Sequence, residues 1–266
     1  MMTELVLVEG VSDVQLISYF MQNVYGWKYR NSNALGITEL DKYEHIESLS
    51  KGENQLVLCG VGGNGKFASF IDKHRINAMI VEKDIASLMV VTDRDEDNDA
   101  KIGRRVNKAL ENVTAKSGEW ISNHIIDLFG QNKLVNTFLL IIPTNENGAL
   151  ERVIIDALED IPEEKGLIGE VIRFIDDLKR EMVPDLNHAN KYNKATVGTF
   201  FSVRDPQNAM RSFGTFISKI DWAQSESLKT LFEPFSYLGR EKPIDNQITV
   251  VGVLMILLAG AYVVLK

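Results

Sequence analysis

Leu88-Met-Val-Val-Thr-Asp-Arg-Asp-Glu-Asp97 is the stretch whose reading decides the fold. Leu88 to Val91 is an apolar run too short for a buried helix and is read as a buried strand. It empties into Asp93, Asp95, Glu96, Asp97 and Asp99. In open α/β sheets chemistry gathers where strands end. Successive strand side chains face opposite ways, so Asp93 and Asp95 are expected to project together if the extended geometry continues. Two hard carboxylates side by side repel unless a cation stands between them, and Mg²⁺ or Mn²⁺ is the fitting partner. The plainer alternative is a solvated acidic loop that caps the next helix. An EF-hand is excluded, because Asn98 replaces the required glycine and Arg104 stands where the bidentate glutamate belongs.

Outward from this stretch, strands and helices alternate. Thr3 to Glu9 reads as a strand, followed by Gly10 and a helix toward Tyr25, with Ser12 as N-cap and Gln15 as its capping-box partner. Residues 26–54 suggest a short strand or two plus a helix near His45. Gln55 to Gly60 is a second strong strand, with a helix from Phe67 to about His74. A helix from Ala100 to Asn112 carries Lys101, Arg104, Arg105 and Lys108. Asn136 to Ile142 is a further strand, stopped by Pro143, and the next helix turns Leu150, Val153, Ile154 and Ala157 inward. After Pro162 only helices are expected, at Ile168–Glu181, Ala209–Ile220 and Leu228–Phe235. The class is α/β, a mostly parallel sheet flanked by helices. Residues 1–160 form the expected core and 161–235 a helical extension of the same domain. A linker is expected at 236–247 and an apolar tail at 248–265.

Composition narrows the functions. The net charge of −8 argues against a coat protein bound to nucleic acid by charge alone. One cysteine, Cys59, and four histidines leave no internal disulfide and no Cys/His metal centre. Glu4 and Glu9 interrupt the N-terminus before a secretory apolar run forms, so a cytoplasmic location is expected. Ile248 to Leu265 is uncharged and long enough to cross a bilayer as a helix. Membrane association through this tail is therefore expected, with a buried terminal helix as the alternative.

Gly60-Val-Gly-Gly-Asn-Gly65-Lys66 has the spacing of a phosphate-cradling P-loop between a strand and a helix. The next residue is Phe67, where the Mg²⁺-binding hydroxyl belongs, and phenylalanine cannot coordinate a cation. A plain glycine turn that lets the chain pass close to the sheet is the better reading. A P-loop nucleotide hydrolase is the weakest of the functional alternatives.

A second constellation is Glu9, Asp13, Asp93, Asp95 and Glu151. In a parallel sheet each lies at a strand's C-terminal end or on the helix start beyond it, so all are expected on one rim, suited to one or two Mg²⁺ or Mn²⁺ ions. Glu9-Gly-Val-Ser-Asp13, the turn at 60–65 and Asp93-Arg-Asp95 resemble a Toprim domain, the metal-binding module of topoisomerases, bacterial primases, recombination mediators and OLD-family nucleases. Pro143-Thr-Asn-Glu-Asn-Gly-Ala-Leu-Glu151 and Asn190-Lys-Tyr-Asn-Lys-Ala195 look like segments of the OLD-like and small stand-alone Toprim proteins. The likeness spans roughly Thr3 to Phe235.

The resemblance implies a metal-dependent phosphodiester nuclease acting on nucleic acid, DNA rather than RNA. Asp13, Asp93, Asp95 and Glu151 would bind the ion, with Asp97 as an extra candidate. Glu9 would be a ligand or the general base, and Lys194, or less readily Lys191, would supply a cation to the transition state. Arg104, Arg105, Lys108, Lys191, Lys194, Arg204 and Arg211 are candidate phosphate contacts. The non-enzymatic alternative is a metal- and phosphate-binding regulatory or interaction module.

Overall fold

The computed structural model describes residues 2–209 and 213–240. A seven-stranded sheet runs through the molecule in the order β2-β3-β4-β1-β5-β7-β6. Its centre is parallel: β4 (Asn54–Gly60), β1 (Thr3–Val8), β5 (Ile85–Asp93) and β7 (Asn132–Ile142). The margins are antiparallel: β2 (Lys28–Arg30) and β3 (His45–Lys51) on one side, β6 (Ile121–Ile126) on the other.

The central strands read as continuous apolar runs because both faces are covered. Val6, Val8, Met89, Val91, Phe138 and Leu140 pack on one face, under α1 (Val11–Asn23), α5 (Leu150–Asp160), α6 (Pro162–Glu181) and α7 (Ala189–Arg204). Leu5, Leu7, Leu88, Val90, Leu139 and Ile141 pack on the other, against α2 (Phe67–Lys73), α3 (Ile76–Glu82) and α4 (Asp99–Ala109). Each fully buried Val or Leu contributes about 1.5–3 kcal/mol by leaving water. A one-residue register slip would exchange the two sets, so the register is strongly fixed.

Several expectations change. His45 opens strand β3, not a helix: His45–Lys51 pairs antiparallel with β4 along its whole length. Ser12 lies inside α1, whose N-cap is Gly10; the Asp13 carboxylate accepts the Gly10 N–H at 2.9 Å. Helices α3 and α7 and strand β6 were not expected. The helix expected over Ala209–Ile220 is, within the described residues, the short α8 (Gly214–Ile217). The last expected helix is α9 (Glu226–Leu231) followed by a 3₁₀ turn at Glu233–Tyr237.

The segment 161–235 shares one apolar cluster with the core, through residues such as Ile168, Phe200, Trp222 and Phe235. The expected linker does not begin at 236. Leu238 is buried, and Gly239 donates its N–H to Glu4 and accepts from the Asn54 side-chain amide. Among the described residues no helix is long and apolar enough to cross a membrane. The expected tail at 248–265 lies outside the described residues.

Candidate functional site

The parallel strands β4, β1, β5 and β7 end on one edge of the sheet, and a cleft of about 690 Å³ opens there. Glu9, Asp13, Asp93, Asp95, Glu151 and Lys194 all line it, as expected. Asn64, Asn190 and the segment Lys42–His45 line it as well.

Each carboxylate is placed by backbone geometry. Glu9 follows β1 directly and is 6 % exposed. Its Oε1 accepts the Thr92 hydroxyl at 2.6 Å and the Asp93 N–H at 3.0 Å, so β1 orients its acid with donors from β5. Asp93 ends β5 on the face of Met89 and Val91, toward α5, and its Oδ1 accepts the Leu150 N–H at 3.1 Å. An acid at that helix start satisfies one of its free amides and meets the positive end of the helix dipole. Glu151 stands in the first turn of the same helix.

Asp95 does not continue the strand. Its φ of 49° is left-handed, and it forms a two-bond bridge with Gly148, N–H to O at 2.7 Å and O from N–H at 3.0 Å. Asp93 and Asp95 therefore share the cleft through a turn and not through strand alternation. Asn64 Nδ2 donates to Asp95 Oδ2 at 2.5 Å and Asn190 Nδ2 to Oδ1 at 3.0 Å. Arg94 locks the same turn: its guanidinium donates to the Pro143 carbonyl at 2.9 Å and the Thr144 carbonyl at 2.6 Å, and pairs with Asp99.

Burial and crowding raise these acids. Desolvation is the leading cause for Glu9, Asp13 and Asp93. Asp13 is pushed up to about 7, with Glu9 and Glu151 adding repulsion. Asp93 is pushed up to about 9, with Asp13, Glu9, Glu151 and Asp95 all repelling its charge. The Thr92 and Asp93 hydrogen bonds and the Arg105 charge act against the rise at Glu9.

Among the described residues no three His, Cys, Asp or Glu side chains are grouped tightly enough to hold a metal ion as they stand. The cleft offers oxygen donors, the ligand type a hard divalent cation takes.

Other expected site residues stand elsewhere. Asp97 is tied to Lys101 at 2.5 Å and Arg105 at 3.4 Å, which explains its lowered pKa and removes it from the cleft. Arg105 is thus spent on bracing the acidic turn, and Arg104 and Lys108 are exposed on α4 outside the cleft. Lys191 pairs with Asp185 at 3.1 Å. Arg204 grips the buried Glu164 carboxylate at 2.9 Å, a structural contact. Arg211 lies outside the described residues.

The glycine turn behaves as the plainer reading expects. Gly60 passes so close to α1 that a Cβ there would sit 3.1 Å from the Gly10 backbone. Gly63 donates its N–H to the Glu9 carbonyl at 2.8 Å. Phe67 is buried in the core. The turn's contribution to the site is Asn64. That residue was missed because a lone loop asparagine carries no periodic signal.

These features define the class: an α/β protein with an acidic cleft at the C-terminal edge of a centrally parallel sheet. The chain belongs to the family described as "Protein of unknown function (DUF3226)", whose profile matches residues 3–236. No curated protein matches it. A solved structure, the crystal structure of a hypothetical protein from Pyrococcus horikoshii OT3, is similar with 14% identity and a TM-score of 0.45, covering 88% of this chain and 95% of that one.

Proposed function

We propose that the chain is a Mg²⁺- or Mn²⁺-dependent phosphodiester nuclease of the Toprim type, acting on nucleic acid, DNA before RNA. The observation that carries this reading is the convergence of Glu9, Asp13, Asp93, Asp95 and Glu151 on one cleft, with Asp13 and Asp93 raised far above ordinary carboxylates. Perturbed acids gathered in a cleft mark functional sites. Asp13, Asp93 and Glu151 would hold the ion, with Asp95 beside them. When bound, such an ion supplies Lewis-acid stabilisation of the charge that develops on a phosphoryl oxygen.

The chain's own residues supply the rest. Glu9 has one oxygen fixed by Thr92 and Asp93, and its raised pKa suits it to accept a proton from water as general base. Lys194 has no ion pair among the described residues and faces the cleft, so its ammonium is free to meet a phosphate.

Incubation of supercoiled plasmid, and of RNA in parallel, with the full chain in Mg²⁺, Mn²⁺ or EDTA tests this, beside Asp93→Asn/Asp95→Asn and a measurement of Mn²⁺ binding. Nicking that needs the metal and vanishes in the variant is expected. Intact plasmid and intact RNA in every lane, with Mn²⁺ still bound, would replace this reading with the metal- and phosphate-binding module.

Membrane anchoring by 248–265 belongs to the same proposal. Gly239 is held beside Glu4 and Asn54, at the starts of β1 and β4, on the edge opposite the cleft. Flotation of the full chain with liposomes, compared with a chain ending at residue 240, tests it; equal recovery of the two would exclude the anchor.

A further inference from the structure

The wall of the cleft formed by the segment before β3 has no part in the acid cluster. Lys42, Tyr43, Glu44 and His45 line it. Tyr43 is 68% exposed. The Lys42 ammonium lies 5.1 Å from its ring centroid, a cation–π distance. Its backbone and Cβ pack near Gly62 of the glycine turn, which also carries Asn64.

The segment that presents this ring is clamped. Glu44, with only 6% of its side chain exposed, accepts the Asp41 N–H at 2.8 Å, Lys73 Nζ at 3.0 Å and the His74 ring at 3.0 Å. Lys73 reaches Asp41 as well, at 2.9 Å. Burial opposes the Glu44 charge, but the hydrogen bonds from Asp41, Lys73 and His74 outweigh it and lower the Glu44 pKa. The main chain around Tyr43 is therefore fixed to α2 while the ring is left in solvent. A rigid exposed aromatic ring with an adjacent cation offers a stacking face at small entropic cost.

We infer that Tyr43 is a nucleobase-stacking platform, with Lys42 contacting the adjoining phosphate, so that the cleft prefers an unpaired strand, which negative supercoiling also opens in a plasmid, to a relaxed duplex. The inference rests on the proposed nucleic-acid function and names its substrate class. A base can meet the ring only if it is unstacked from its own neighbours, which single strands and frayed ends allow. Base–aromatic stacking tolerates every base because each has a π face, so little sequence preference is expected. Lys42 and Lys194 are the lysines that line the cleft beside its carboxylates, and they would contact the phosphates of a strand laid along it.

The test uses the full chain in Ca²⁺ with fluorescent single-stranded DNA, the same strand carrying one abasic residue at successive positions, and blunt duplex. Wild type is expected to prefer the single strand, and to lose affinity when the abasic residue reaches one particular position. Tyr43→Ala is expected to lose roughly ten- to a hundredfold on the intact strand and to become indifferent to the abasic position. Tyr43→Trp is expected to restore both properties. The ring is exposed, so thermal stability of both variants should match wild type and loss of fold would not mimic the effect. Single-strand binding unchanged in Tyr43→Ala would overturn the platform and leave the nuclease reading intact. Tighter binding of blunt duplex would overturn the single-strand preference. No nucleic-acid binding by wild type, joined to no plasmid nicking, would remove both.

Discussion

Glu9 shows how a buried acid is made usable. Burial raises its pKa, and the Thr92 hydroxyl and the Asp93 amide, which donate to Oε1, oppose that rise. Thr92→Val keeps the shape and removes one donor. It is expected to cost about 1–3 kcal/mol, seen as a lower urea midpoint at unchanged slope, and to move the basic shift of Glu9 further. Asp93→Asn behaves oppositely. The amide oxygen can still accept the Leu150 N–H while the repulsion from Asp13, Glu9 and Glu151 disappears. The variant is expected to melt a few degrees higher than wild type at pH 8–9 in EDTA, and to show no stabilisation by Mn²⁺. Stability exchanged for function is the usual mark of a strained site. Wild type and variant melting together would show that the acid cluster carries no strain.

At the scale of elements, close packing between the glycine turn and the first helix holds the rim. Gly60→Ala would press a methyl group onto the Gly10 backbone at 3.1 Å and Val14 at 3.3 Å. A loss of about 1–3 kcal/mol is expected from this overpacking, together with weakened Mn²⁺ binding, because Glu9 and Asp13 flank Gly10. Arg204→Met would leave the buried Glu164 carboxylate without its cation. A loss of about 1–3 kcal/mol, discounted for the partly exposed guanidinium, is expected, with nucleic-acid affinity unchanged. A large affinity loss without destabilisation would restore Arg204 as a phosphate contact.

The sequence was informative where elements are buried on both sides. β1, β4, β5 and β7 each carry a short apolar run (Leu5–Val8, Leu56–Cys59, Leu88–Val91 and Phe138–Ile142), and the acids at or beyond their ends fall on one rim because parallel strands share a direction. Marginal elements carried weaker signals. In β6, Ile121–Ile126, only Ile125 is buried, so the strand resembles a polar loop. In α7 the lysines and asparagines fill the first half while the apolar residues crowd the second, which blurs its period. Asp95 was placed in the right cleft for the wrong reason: strand alternation does not hold at a φ of 49°. Arg105, Lys191 and Arg204 show why cations are hard to assign from sequence. Arg204 is paired with Glu164, distant in the chain and buried by the fold, while the partners of Arg105 and Lys191 are near in sequence but brought to them only by the turns between.

For the molecule as a whole, the acid cluster sets the pH response. Asp13 and Asp93 rise in the fold from 3.8 to about 7 and about 9. The folded state therefore binds more protons than the unfolded chain through this range. That stabilisation is fully present below the ordinary carboxylate range and is lost as pH climbs through the folded values. The metal-free protein is expected to lose melting temperature steadily from about pH 5 to 9, and Mg²⁺ or Mn²⁺ should flatten the decline by binding the ionised form. Glu44 and Asp160, both lowered by hydrogen bonds, act the other way and weaken the fold only toward acid pH. A melting temperature that rises between pH 6 and 9 without metal would contradict the charge balance at the rim.

Calorimetric titration of the full chain with Mn²⁺ at pH 7, repeated in two buffers of different ionisation enthalpy, tests the cation site most directly. Binding should release about one to two protons per ion, since Asp13 and Asp93 must give theirs up to become ligands. Asp93→Asn should abolish the binding heat. Absence of binding, or binding with no proton release and no loss in Asp93→Asn, would show that the acidic cleft is not a divalent-cation site.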